Sequence, residues 1–360
     1  MNTPKVLPNP IRQRRHSMLR GKYVPFALVI MLVLAMLVGT TGAGAAPKSA
    51  LTATIAVDKA GFAASDAVLV NVTISNTGNK PAKVLKWFTP AEDVEEALFK
   101  VSRDGAKVDY VGAHYKRPAP TGNDYINLKP GENFTRTVDL GLYYDLTTSG
   151  SYELEYDADV TGVSSNKIQL AVEGRAGAPL VDVVTPLAVT GSSSFNKCTT
   201  TQQSDVVLAR SNASTYAASA LSYLNAHNSG TTRYTTWFGI FDSGRYSTVT
   251  SHYSAISNAM DAASMTFDCG CKKKYYAYVY PNQPYTIYLC SVFWTAPAIG
   301  TDSKAGTLIH EMSHFNVVAS TDDWAYGQSA AKSLAISDPV KAIDNADSHE
   351  YFAENTPVLP

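Results

Sequence analysis

The chain has 360 residues, of which 45% are hydrophobic and 17% are charged, a length and composition that suit about two globular domains. Its formal net charge is −1. This balance argues against a nucleic-acid-binding surface and against an acidic tail.

A basic stretch followed by an apolar run opens the chain. Arginine and lysine residues between positions 12 and 22 precede the apolar segment 26–38, which is shorter than the roughly 20 residues that span a bilayer. Small residues follow, and Ala43-Gly44-Ala45 is typical of a signal-peptidase site. We therefore predict a secretory signal peptide over residues 1–46 and no stable membrane association after its removal. An uncleaved membrane anchor is the alternative.

The next segment, residues 47–172, has the pattern of β-strands. Stretches such as "AVLVNVTISN" and "SYELEYDADV" alternate apolar and polar residues, and turn signals such as "KPGEN" separate them. Short strands at this spacing predict an all-β, immunoglobulin-like sandwich. Because no cluster of histidines, cysteines or carboxylates marks the segment as catalytic, we interpret it as a pro-domain or accessory domain.

Residues 173–194, rich in glycine, proline and serine, are interpreted as a linker that contains the activation region. The remaining part, 195–360, combines helical and strand patterns. Helices are predicted over 204–224, 247–269, 328–339 and 341–355, and an aromatic hairpin is predicted over 275–294. Lys272, Lys273 and Lys274 are interpreted as a solvated turn. This half is therefore predicted to be an α+β domain.

Four cysteines lie in this half: Cys198, Cys269, Cys271 and Cys290. An even number in an exported protein favours two disulfides, and three pairings are possible. Cys269 and Cys271 point to opposite faces of an extended segment, so they are not expected to pair with each other. A zinc site at the C-x-C pair is the competing interpretation.

The segment "GTLIHEMSHF" contains the pattern H-E-x-x-H. Residues four apart lie on one face of a helix, so His310 and His314 can present two imidazoles to one metal ion. Glu311 lies about 100° round the helix from His310, where it can reach a metal-bound water without being a ligand. An amphipathic core helix with hydrogen-bonded histidines is the alternative.

A catalytic zinc usually has three protein ligands and one water. The long metzincin pattern needs glycine at position 317 and histidine at position 320, and this chain has Val317 and Ser320, which excludes that class. A carboxylate further along must then complete the site. The candidates are Asp322, Asp323, Glu350 and Glu354.

Three blocks, "GTLIHEMSHF", "TDDWAYG" and "NADSHEYFAEN", together resemble the deuterolysin-type zinc proteases, the aspzincins, and within them the peptidyl-Lys metalloendopeptidases. The resemblance covers roughly residues 198–356, and the β-rich half is similar to the pro-regions of the family. It implies a zincin-like catalytic domain over 195–360. The family usually has glycine where this chain has Ser320, a departure at a turn position.

The resemblance also implies roles for single residues. Asp323 becomes the third ligand of one Zn²⁺, beside His310 and His314, and Tyr326 helps to hold the oxyanion. Glu311 takes a proton from the attacking water and returns it to the leaving amine.

Two further features follow from the resemblance. Asp347 and Glu350 share a helix face and are implied to bind the lysine that follows the cut bond, the P1′ residue. The cysteine layout of the family implies the pairs Cys198–Cys269 and Cys271–Cys290.

These features predict a secreted zinc metalloendopeptidase that cuts protein and peptide substrates before lysine and is made as a latent precursor. Its own pro-domain is expected to act as intramolecular inhibitor, and activation is expected to require a cut within 173–197, with a cut by the enzyme itself before Lys197 as the candidate. A broad-specificity protease on the same fold is one alternative. A secreted binding or adhesion protein with an inert C-terminal domain is the alternative from another class.

Overall fold

A computed structural model describes residues 50–158, 161–174 and 191–360. The predicted signal peptide lies outside these residues, and so does most of the predicted linker. No helix within the described ranges is both long enough and apolar enough to cross a membrane.

The N-terminal half is built from short strands, as its sequence predicts. The strands are β1 Leu51–Ala56, β2 Gly61–Phe62, β3 Leu69–Asn76, β4 Ala82–Leu85, β5 Phe99–Arg103, β6 Ala106–Lys107, β7 His114–Lys116, β8 Tyr125–Leu128, β9 Asn133–Asp139, β10 Gly150–Ala158 and β11 Val163–Val172. In β3, every second residue is buried, among them Val70, Val72 and Ile74. This alternation places one face of the strand against the core.

These strands form three sheets, in the orders β1-β3-β9, β2-β11-β10-β5-β6 and β4-β8. All pairings in them are antiparallel except that of β2 with β11. The sheets share one hydrophobic core, in which the Tyr144 hydroxyl group bonds both backbone polar groups of Phe99. The β-rich half is thus present, while its immunoglobulin-like classification stays a prediction.

The C-terminal half consists of helices around a small sheet. The helices are α1 Thr200–His227, α2 Thr232–Phe238, α3 Ser243–Ala262, α4 Lys304–His314, α5 Gln328–Ser337, α6 Pro339–Ala342 and α7 Ala346–Glu354. The strands are β12 Ser193–Asn196, β13 Met265–Asp268, β14 Ala277–Val279 and β15 Thr286–Leu289. A second core cluster fills this half, with α4 among its members.

The predicted second helix was wrong at its C-terminal end. It stops at Ala262, and residues 265–268, which were predicted to continue it, form β13. The strand pairs in parallel with β12 on one side and β15 on the other. These ladders satisfy its backbone groups and override the local helical pattern.

The sheet of the C-terminal half has the order β12-β13-β15-β14-β7. Its edge strand β7 comes from the N-terminal half and pairs antiparallel with β14, so that Lys116 faces Ala277 and His114 faces Val279. The described residues of both halves accordingly form one compact unit. The predicted boundaries at 172 and 195 therefore stay predictions.

Two disulfides fix the strands ahead of α4. Cys198 is joined to Cys269 and Cys271 to Cys290, the pairing that the resemblance implies. The described residues include no free cysteine, so the alternative of a C-x-C zinc site is excluded there.

Candidate active site

Helix α4 carries the H-E-x-x-H motif through the middle of the C-terminal half. Ser303 caps the helix by accepting a hydrogen bond from the Gly306 backbone amide, at 2.9 Å. Glu354 of α7 in turn accepts bonds from the backbone and the hydroxyl group of Ser303. A Cβ atom at Gly306 would lie 2.1 Å from Oε1 of Glu354, so only glycine permits this close approach of α7.

The segment that follows α4 turns back toward the two histidines. Ser320 has φ +51°, the left-handed conformation that explains why the family usually has glycine there. Thr321 then donates its backbone amide to the Ser313 carbonyl and offers its own carbonyl, 2.8 Å away, to Nδ1 of His314. This second contact fixes the ring of His314 so that Nε2 points to Asp323.

Asp323 lies between the two histidines. Its Oδ1 is 3.3 Å from Nε2 of His310, and its Oδ2 is 3.4 Å from Nε2 of His314. Burial lowers the pKa of His314 to about 3. Burial alone raises the pKa of Asp323, but His314 and His310 outweigh it and hold that pKa below its usual value.

Several buried polar atoms at this point have no hydrogen-bond partner among the described residues. They are Nε2 of His310, Nε2 of His314, both carboxylate oxygens of Asp323, Oε2 of Glu311 and Nδ1 of His114. Unpaired buried polar atoms are rare in proteins, and a cluster of them calls for a ligand. Two imidazoles and a carboxylate are donors that zinc prefers, and donors on one tetrahedral zinc lie about 3.3 Å apart, as here. The cluster therefore fits a zinc ion.

Glu311 follows His310 on the same helix, and its Oε2 is one of the unpaired atoms. Burial raises its pKa to about 8. Its Oε1 accepts a hydrogen bond of 3.2 Å from the backbone amide of Lys116, which belongs to β7. Glu311 is thus a group that can take up or release a proton close to neutral pH, beside a peptide nitrogen.

Asp347 and Glu350, on α7, lie next to this centre and enclose the ammonium group of Lys116. Nζ of Lys116 lies 2.8 Å from Oδ1 of Asp347 and 2.8 Å from Oε2 of Glu350, and all three side chains are fully buried. Burial alone lowers the pKa of Lys116, but the two carboxylates outweigh it and hold the pKa well above its usual value. The lysine is therefore charged in the pocket.

The same two carboxylates reach the metal-binding centre. Nδ1 of His310 is 2.9 Å from Oδ1 of Asp347 and 3.5 Å from Oε2 of Glu350. Asp347 also accepts a bond of 2.6 Å from the Gly327 backbone amide. A carboxylate behind a ligating imidazole orients the ring and raises its basicity.

Tyr326 is buried between the two halves of the described chain. Its hydroxyl group donates to Oε1 of Glu96 at 2.6 Å, and its ring meets that of Trp87 edge to face. Arg117 pairs with the same Glu96 carboxylate at 3.1 Å. The phenol therefore already has a partner from the N-terminal half.

The N-terminal half contributes residues to this site that sequence reasoning missed. They are Glu96, His114, Lys116 and Arg117. The segment was predicted to be free of catalytic features because these residues form no motif. Lys272, Lys273 and Lys274 are exposed, in agreement with the prediction of a solvated turn, and Lys273 in addition pairs with Glu95 at 2.8 Å.

The fold and the clustered donors define a metallopeptidase with H-E-x-x-H on a buried helix. A sequence profile described as lysine-specific metallo-endopeptidase, the aspzincin family, matches residues 223–354. An extracellular protease of Aeromonas hydrophila is 46% identical over 310 residues, which cover 81% of this chain and 89% of that protein. A peptidyl-Lys metalloendopeptidase of Armillaria mellea is 41% identical over 307 residues, 80% of this chain and 87% of that protein.

A shorter relative, the peptidyl-Lys metalloendopeptidase of Pleurotus ostreatus, is 57% identical over 166 residues, 46% of this chain and 98% of that protein. The chain belongs to the aspzincin family of zinc metalloendopeptidases. The predicted enzyme class and the predicted zinc are thereby confirmed. The alternative of a binding protein with an inert C-terminal domain was wrong.

Proposed function

We propose that the chain is the latent precursor of a secreted zinc metalloendopeptidase that hydrolyses peptide bonds on the N-terminal side of lysine. The observation that carries this proposal is the position of Lys116. Its side chain fills the pocket between Asp347 and Glu350, and its backbone nitrogen lies 3.2 Å from Oε1 of Glu311.

The strand around Lys116 has the contacts expected of a substrate. It adds to the edge of the sheet by antiparallel pairing with β14, a mode in which main-chain bonds give affinity and pockets give specificity. Lys116 then corresponds to P1′ and Tyr115 to P1. The rings of Tyr276 and Tyr351 lie 5.5 and 5.1 Å from the ammonium nitrogen and favour a cation.

The catalytic roles follow from the same geometry. His310, His314 and Asp323 would hold the zinc ion, which when bound polarises the scissile carbonyl and acidifies water. Glu311, with its pKa near 8, lies against the nitrogen that becomes the leaving amine, so it can deliver a proton there. Tyr326 would donate to the developing oxyanion once its hydroxyl group is released from Glu96.

Latency has two physical causes in this arrangement. Residues of β7 occupy both the sheet edge and the lysine pocket, and Glu96 holds the hydroxyl group of Tyr326. Activation would require removal of the N-terminal half by a cut within 173–197. Lys197, at the end of that region, has an exposed side chain, and it remains our candidate for a cut by the enzyme itself.

The enzyme is secreted, in agreement with its two disulfides and its extracellular relative. Its partners are protein substrates. The alternative of broad specificity is less well supported, because a pocket lined by two fully buried carboxylates disfavours any neutral side chain.

Cleavage mapping on a denatured protein tests the specificity. The precursor is activated, and wild type is compared with Glu350→Gln and with the matched control Asp302→Asn, which alters a carboxylate at the edge of the pocket, 3.4 Å from Nζ of Lys116. We expect wild type and the control to cut before lysine, and Glu350→Gln to lose that preference while it keeps zinc. Cuts scattered without regard to lysine in wild type would refute the specificity.

A further inference from the structure

His114 lies two residues before Lys116 on β7. Side chains two apart on a strand point to the same face, so His114 and Lys116 both face the catalytic centre while Tyr115 faces away. The register fixes this orientation, because His114 is paired with Val279 and Lys116 with Ala277. Insertion of the lysine into its pocket therefore carries the imidazole to the metal-binding residues.

The contacts of His114 place its ring beside the predicted zinc ligands. Its ring stacks on the ring of His314, with centroids 4.6 Å apart, about the separation of the His310 and His314 rings at 4.9 Å. Its Nδ1 lies 4.0 Å from Oδ2 of Asp323 and 3.5 Å from Oδ1 of Asp322. Ligand atoms of His114, His314 and Asp323 all lie within 4.8 Å of one another.

The Nδ1 atom of His114 is buried and has no hydrogen-bond partner among the described residues, a state that costs free energy unless something else binds the atom. Nδ1 of His114 belongs to the same group of unpaired buried atoms as the metal-binding atoms of His310, His314 and Asp323. A single metal ion bound by all of these atoms would remove that cost.

We propose that His114 is a fourth zinc ligand in the precursor, supplied by the N-terminal half. The ion then has three imidazoles and one carboxylate, and the position needed by a water molecule is filled. Latency would thus be enforced at the metal as well as in the lysine pocket, and activation would exchange an imidazole for water. This inference rests on the proposed function, since it requires zinc at His310, His314 and Asp323.

X-ray absorption at the zinc edge counts the imidazoles directly and does not depend on activity. The precursor carrying Glu311→Gln, which cannot cut itself, is compared with the same precursor carrying His114→Ala and with the activated wild-type enzyme. The matched control is His227→Ala, which removes an imidazole that lies on the protein surface and bonds the Tyr223 carbonyl.

We expect three imidazoles on zinc in the precursor and in the control, and two in the His114→Ala precursor and in the activated enzyme. Stoichiometric zinc with two imidazoles in the precursor would overturn the role of His114 and leave the proposed function standing. A precursor without zinc would overturn both. Because the activated wild type supplies the two-imidazole reference, the comparison holds even where the His114 variant fails to fold.

Discussion

Replacement of Lys116 by methionine in the precursor should switch on activity without any cut. The change keeps most of the length of the side chain but removes the ammonium group, so that Asp347 and Glu350, both fully buried, lose their cation. Removal of one partner from a buried ion pair costs about 3–5 kcal/mol. The cost falls only on the state in which β7 is bound to β14.

The size of the effect follows from that cost. Each 1.4 kcal/mol is about a tenfold change in an equilibrium, so the open state of the precursor should gain roughly 10²- to 4 × 10³-fold in population. Water and protonation of Glu350 can relieve part of the cost, which places the expected value at the lower end. The initial rate on a fluorogenic peptide with a single lysine should rise by about 10²-fold.

The assay compares intact precursors, with mass spectrometry of each sample to verify that the chain is uncut. Lys273→Met is the matched control, because this lysine also joins the two halves, through Glu95, but is about half exposed. Exposed ion pairs contribute about 0–1 kcal/mol, so the control should gain less than about fivefold. Equal rates for Lys116→Met and wild type would refute the reasoning that the lysine keeps the site closed.

Three further outcomes are expected. Tyr326→Phe in the activated enzyme should lower kcat by about 10²–10³-fold and leave KM and bound zinc unchanged in steady-state kinetics and metal analysis; an unchanged kcat would exclude the oxyanion role. Burial raises the pKa of Asp344 from 3.8 to about 7, so the unfolding free energy of the wild type should fall as pH rises through that range. The variant Asp344→Asn cannot ionise, so its unfolding free energy, measured with urea, should rise relative to that of the wild type over the same range. The same dependence of the unfolding free energy on pH in both proteins would contradict this prediction. Removal of the Cys271–Cys290 disulfide by replacing both cysteines with serine opens a loop of 19 residues and should lower the unfolding free energy, measured with urea, by about 3 kcal/mol. An unchanged unfolding free energy would mean that the rest of the chain already constrains that loop.

The active-site helix could be predicted from the sequence because its information is local. Two histidines four apart are enough to predict two ligands of one ion, and the glutamate directly after the first histidine is enough to predict the group beside the bound water. The carboxylate that serves as the predicted third ligand could not be chosen by spacing alone. Asp322 and Asp323 are adjacent, and only the loop from Ser320 onward, with its bonds to Ser313 and Asn345, decides which one faces the histidines.

The contribution of β7 could not be predicted by the same means. The strand has three residues, too few for a periodic pattern. Lys116 contacts Glu311 and Asp347, which follow it by 195 and 231 positions, and no local rule connects residues so far apart. The sequence offered one signal for this contribution. A lysine in the N-terminal half can be bound like a substrate by an enzyme that is expected to recognise lysine.

Asp347 connects the proposed lysine pocket to the predicted zinc ligand His310. One oxygen, Oδ1, lies 2.8 Å from the ammonium of Lys116 and 2.9 Å from Nδ1 of His310. Because Lys116 and His310 draw on the same negative charge, a cation in the pocket weakens the hold of Asp347 on the imidazole, and an empty pocket strengthens it. Lysine binding and the electron donation of His310 are therefore physically coupled. In the proposed enzyme, selectivity for lysine would therefore act on the catalytic centre itself, rather than on binding alone.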